Sequence, residues 1–64
     1  MAGTYKITEL VGTSPTSFAE AVAEAAKTVR NMDWFEVIDE RGRIEDGKVK
    51  EFQVTLKIGF KLER

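Results

Sequence analysis

Hydrophobic and polar positions alternate without a break near the end of the chain. Phe52, Val54, Leu56, Ile58, Phe60 and Leu62 share one parity, and Gln53, Thr55, Lys57, Gly59 and Lys61 the other. Side chains on a strand point to opposite faces with a period of two, so alternation of this length predicts a half-buried antiparallel strand over Lys48 to Leu62. Asp46-Gly47 just before it is a two-residue hairpin signal, because a type I′ turn needs positive φ at both central positions. The preceding strand then runs from Trp34 to about Glu45. Thr4 to Val11 (TYKITELV) reads as a further strand, with Tyr5, Ile7 and Val11 on one parity and Leu10 on the other.

Between the first two strands the period changes. Phe18, Val22, Ala25, Val29 and Met32 recur at steps of four and three, the stripe of one helix face. Gly12-Thr13-Ser14-Pro15 breaks the strand before it. Two helix starts are available: Ser14 as N-cap with Pro15 at the first helical position, or Ser17 as N-cap with Glu20 completing a capping box. Glu20 and Glu24 come early and Lys27 and Arg30 late, which suits the helix dipole. Ala19, Ala21, Ala23, Ala25 and Ala26 permit close approach to a sheet, or leave a shallow flank for a partner. Asn31 to Asp33 ends the helix. The fold class is therefore α+β, a β-α-β-β order in which a three-stranded antiparallel sheet packs on one helix. One domain spans 1–64, with no repeat or linker.

With Asp46 and Gly47 as the turn, Phe35 falls opposite Ile58 and Val37 opposite Leu56 on the helix side. The other face sets Trp34 opposite Gly59, Glu36 opposite Lys57, Ile38 opposite Thr55 and Glu40 opposite Gln53. The opposite charges of Glu36 and Lys57 favour this register, and a one-residue slip would invert every face. Gly42 is the position at which a bulge would disturb it. Trp34, the single tryptophan, is thus expected on the face away from the helix. There it is either interface packing or a stacking platform for a planar ring.

Composition narrows the function. Ten Lys and Arg against eleven Asp and Glu give a net charge of -1, without the basic excess of a general nucleic-acid binder. There is no Cys and no His, so no thiol nucleophile and no imidazole base. Pairs such as Glu36 and Glu40 fit a solvated or interface charge pattern, and no loop has EF-hand ligand spacing. The chain reads as a non-enzyme with no metal site. It has no apolar run of membrane-spanning length and no charged-then-apolar N-terminal signal, so a cytoplasmic location is expected. A 64-residue chain buries only about 60% of its unfolded surface. Without disulfides or metal, self-assembly is the remaining stabilising device.

The residues VGTS at Val11 to Ser14, DWFEV at Asp33 to Val37, the Arg41-Gly42 step and FQVTLKIGFKLE at Phe52 to Glu63 together resemble the bacterial dodecins, over nearly the whole chain. The resemblance implies a hollow homododecamer that binds flavins in pairs for storage or buffering, without turnover. It implies that Trp34 stacks on the isoalloxazine ring and that Gln53 hydrogen-bonds its pyrimidine edge. It also places Asp39, Arg41 and Arg43 near the ligand mouth, with basic groups toward the phosphate of FMN; riboflavin, FAD and lumichrome are the other flavins it admits. By alternation from Phe35, however, Arg41 shares the helix-side parity, and it reaches a phosphate only if the hairpin outruns the helix or twists near Gly42.

The register adds one constraint to this resemblance. Gly59, opposite Trp34, is six residues from Gln53, which puts the two side chains roughly 20 Å apart at about 3.4 Å per residue. One chain cannot offer both to one ring, so the site is expected across a subunit interface. Two rival readings stand beside flavin storage: a structural or interaction oligomer that buries Trp34 and has lost ligand binding, and, as the resemblance also admits, an oligomer that binds coenzyme A at a basic patch of Lys6, Arg41 and Lys61.

Overall fold

The computed structural model describes residues 3–62. Glu63, the last residue of the C-terminal motif, and the extreme ends of the expected 1–64 domain lie outside these. Three strands and one helix follow in the expected order: β1 Tyr5–Ser14, α1 Phe18–Lys27, β2 Trp34–Glu45 and β3 Lys48–Lys61. The sheet is antiparallel with β3 in the centre, in the order β1-β3-β2. The most strongly alternating strand is therefore the one hydrogen-bonded on both edges.

β1 runs three residues beyond its predicted end at Val11, through Gly12 to Ser14. Gly12 makes this compatible with the helix above it, since a Cβ there would overlap the Ala21 carbonyl oxygen and press on the Ala25 methyl. Ser17, not Ser14, caps the helix: its side chain accepts from the Glu20 amide at 3.0 Å. Ser14 serves a different end. Its buried hydroxyl accepts from the Thr16 amide at 2.9 Å and donates to Glu20 Oε1 at 2.8 Å, tying the end of β1 to the first turn of α1.

The helix is shorter than its apolar stripe. It ends at Lys27, where Thr28 Oγ1 donates to the Ala25 carbonyl at 2.8 Å, and Asn31 at φ 58° turns the chain back. Val29 and Met32 still pack on the core, but from the connection rather than from the helix. The deepest helical contacts are Ala21 and Ala25, which meet Val54, Leu56 and Ile58 of β3. Phe18 closes one end against Phe52 in an edge-on pair with centroids 5.0 Å apart. Small helix residues against branched strand residues let the two layers approach closely, one of the two uses expected of the alanine run.

The β2-β3 hairpin carries the fold's main departure from simple alternation. Asp46 and Gly47 adopt φ 53° and 75°, as the type I′ turn demands. Beyond the turn, Lys50 is an extra residue on β3 and Ile38 an extra residue on β2. These two bulges offset each other. Register at the turn and from Val37 to Trp34 is that of a plain two-residue hairpin, while Asp39 to Arg43 between them are displaced by one position. The expected pairs Ile38 with Thr55 and Glu40 with Gln53 are therefore wrong: Asp39 faces Thr55, Glu40 faces Val54 and Arg41 faces Gln53. Gly42 pairs regularly with Phe52 and is not a bulge.

The helix contacts β1 and β3 and leaves β2 bare. Every residue of β2 is exposed, including Phe35 at 53% and Val37 at 42%, which share the helix-side parity. On the other face Tyr5, Ile7, Val11 and Trp34 are exposed as well. The radius of gyration is 14.0 Å, against about 10.7 Å for a compact chain of this length. A molecule so elongated, with apolar groups on both faces of its sheet, is the shape of a subunit rather than of a self-sufficient globule.

Candidate functional site

Trp34 opens β2 directly opposite Gly59. Asp33 fixes that start by donating its amide to the Gly59 carbonyl at 2.9 Å. The six-membered edge of the indole then lies across the glycine: a Cβ on Gly59 would overlap Trp34 Cε2 and Cζ2. The ring remains 41% exposed. A glycine beneath it and no helix above it leave an indole resting on backbone with its outer side open, which is the geometry of a stacking surface.

Farther along the same face is a polar cluster centred on Gln53. Arg41 Nε donates to Gln53 Oε1 at 3.0 Å, and Gln53 Nε2 donates to Glu51 Oε1 at 2.9 Å. Arg41 Nη1 also donates to Asp39 Oδ2 and to Thr55 Oγ1, each at 3.2 Å. Arg43 lies opposite Glu51, with Nη1 4.0 Å from its carboxylate. The Ile38 bulge is the cause of this convergence. Without it Asp39, Arg41 and Arg43 would share the parity of Phe35 and point to the helix side; the extra residue turns all three onto the face of Gln53. The expectation that Arg41 lies on the helix-side parity is thus overturned, and the bulge that does so sits before Gly42.

The structure therefore gathers four of the five sequence-predicted residues, Asp39, Arg41, Arg43 and Gln53, at one end of the outer face and leaves Trp34 at the other. Six β3 positions separate Gly59 from Gln53, roughly 20 Å at about 3.4 Å per residue. Glu36 and Lys57 do lie opposite each other, but no salt bridge forms between them among the described residues. Lys6, Arg41 and Lys61 form no basic patch within one chain. Lys6 shares the helix-side parity with its partner Phe60, and Lys61 stands eight positions along β3 from Gln53, roughly 27 Å at the same rise.

Sequence reasoning passed over Glu51 and Thr55. Both share the parity of Gln53 at spacings of two, and that signal was available in the alternation. Concave spaces lie elsewhere: one of about 300 Å³ between β1 and α1, lined by Leu10, Gly12, Glu24 and Thr28 among others, and one of about 470 Å³ beside Arg30 to Asp33, Phe60 and Lys61. Neither includes Trp34 or Gln53. Among the described residues no three acidic side chains converge as a metal-binding group, and no helix is long and apolar enough to cross a membrane.

Comparison with known proteins bears on these features together. The dodecin family model matches residues 4–63. The dodecin of Thermus thermophilus is 49% identical over 67 aligned positions, covering 98% of this chain and 97% of that protein. The calcium dodecin of Mycobacterium tuberculosis is 29% identical, covering 91% of this chain and 87% of that protein. In three dimensions the chain superposes on the dodecin of Streptomyces coelicolor with a TM-score of 0.88 at 52% identity, covering 97% of this chain and 94% of that one. A β-α-β-β chain with a bare, bulged hairpin and near-complete matches of this kind belongs to the dodecin family, a family of small binding proteins.

Proposed function

We propose that this protein is a flavin-storage protein, which holds FMN or riboflavin-type flavins in pairs between tryptophans at the subunit interfaces of a homododecamer and performs no turnover. One observation carries the reading most directly: an indole resting on Gly59 with its outer side open, on a sheet face that also presents the amide of Gln53. Stacking supplies contact area, and the amide supplies a donor and an acceptor for the ring edge.

Because the two lie roughly 20 Å apart in one chain, the site is assembled from more than one copy, and the exposed apolar residues on both sheet faces supply the contact surface. Asp39, Arg41 and Arg43 form the polar mouth. Arg41 Nη2 makes no hydrogen bond among the described residues, so the guanidinium can meet a phosphate while still holding Gln53. The location expected for such a reserve is the cytoplasm.

An absorbance spectrum of the freshly purified protein tests the reading. Bands of oxidised flavin, and quenching of added FMN fluorescence that saturates at a fixed stoichiometry per chain, are the expected results. A colourless protein that quenches neither riboflavin nor FMN overturns it in favour of the scaffold oligomer. Light scattering coupled to size exclusion tests the twelve-subunit assembly separately.

A further inference from the structure

Gln53 is held by two partners that can each play only one part. A guanidinium donates and cannot accept; a carboxylate accepts and cannot donate. Arg41 Nε on Oε1 at 3.0 Å and Glu51 Oε1 on Nε2 at 2.9 Å therefore dictate which end of the amide is oxygen and which is nitrogen. The flipped amide would set an N–H against the guanidinium and a carbonyl against the carboxylate, losing both charge-assisted bonds and adding two repulsions. The clamp lies on neighbouring strands of a continuous sheet, with Arg41 across from Gln53 and Glu51 two positions along β3 on the same face. Glu51 is itself half-buried and flanked by Arg43.

Each partner uses one hydrogen-bonding position of the amide. One N–H of Nε2 and one lone pair of Oε1 remain for a ligand. The imide edge of an isoalloxazine reads carbonyl, N–H, carbonyl, so a freely rotating amide could pair its N–H with either carbonyl and accept the ring in either of two directions. A fixed amide admits only the placement with the ring N–H at Oε1 and a carbonyl at Nε2, a place that either carbonyl of the nearly symmetric edge can fill. We propose that Glu51 is a positioning residue for the flavin: with Arg41 it locks the Gln53 amide so that the ring N–H is received on the Arg41 side and a ring carbonyl on the Glu51 side. This inference rests on the flavin reading and sharpens it, since it fixes where the ring N–H sits on the sheet, which stacking on an indole cannot do.

The test compares riboflavin with 3-methylriboflavin, which lacks the ring N–H, by fluorescence titration of the assembled protein. Wild-type protein should bind riboflavin more tightly by about tenfold or more, the scale of a lost hydrogen bond that leaves its acceptor unpaired. Glu51→Gln is nearly isosteric but can donate as well as accept, which frees the Gln53 amide to flip. It should weaken riboflavin by about three- to tenfold and leave 3-methylriboflavin within about twofold, so that the discrimination between the two collapses. A general loosening of the fold would weaken both ligands alike. Glu51→Ala removes the acceptor without adding a donor and should give the same collapse, which keeps the question answerable if Glu51→Gln does not assemble. Full discrimination retained by an assembled Glu51 variant overturns the clamp alone, while wild-type protein that takes up neither compound overturns the flavin reading itself.

Discussion

Trp34 and Gln53 share a face of one sheet, yet opposite means hold them. At the Trp34 end the support is an absence: Gly59 has no side chain, and the indole rests on backbone. At the Gln53 end the support is a network in which Arg41, Glu51, Asp39 and Thr55 use directed hydrogen bonds within and between β2 and β3. The first arrangement offers area without direction, the second direction with little area. On the proposed reading, a ligand that needs both would meet the Trp34 end of one copy and the Gln53 end of another, each end serving as a half-site.

Substitutions that remove one half-site at a time sharpen this contrast. Trp34→Ala should have the largest effect, weakening flavin binding by about 30- to 1000-fold, the range of an aromatic hot-spot truncation; far-UV circular dichroism should stay unchanged, and normal quenching by this variant would remove the stacking half of the comparison. Gln53→Ala should cost about 1 to 2 kcal/mol of binding, because the ring edge loses its partner and Arg41 loses an acceptor. A variant that binds riboflavin as wild type does would show that direction is set elsewhere. Gly59→Ala places a methyl where the indole lies, and displacing the ring should weaken binding by about 1 kcal/mol. Altered near-ultraviolet circular dichroism of Trp34 should accompany the loss. Arg41→Met is expected to have the smallest effect, about threefold more on FMN than on riboflavin at low salt, with the difference shrinking as salt screens the phosphate. Equal loss for both ligands would assign Arg41 to Gln53 alone.

Much of the fold was legible because each element announces itself by period: the alternation from Phe52 to Leu62, the Asp46-Gly47 turn, the four-three stripe beginning at Phe18. The helix end was less so. Val29 and Met32 continue the stripe and do reach the core, and only the Thr28 cap and the positive φ of Asn31 show that they do so without helix. Trp34 opposite Gly59 could be read from the turn because two bulges cancel before that pair is reached. The bulges themselves left no mark. Ile38 and Lys50 are ordinary strand residues, whereas Gly42, the residue that invites a bulge, pairs regularly. The polar cluster was thus anticipated by family resemblance for four residues, while alternation alone assigned Arg41 to the wrong face.

The pair of bulges also behaves as a frameshift and its suppressor do in a coding sequence. One inserted residue on β3 throws the facing pairs out of phase, a second on β2 restores them, and only the stretch between is read in the other frame. If Ile38 and Lys50 both entered the ladder as ordinary pairs, the ends would stay in phase while Asp39, Arg41 and Arg43 returned to the helix side, whereas deleting Ile38 outright would leave Val37 opposite Leu56, Asp39 opposite Thr55 and Trp34 opposite Gly59. A bulge that slides or flattens therefore recodes what the surface presents with no residue gained or lost, and does so before it changes whether the sheet can form.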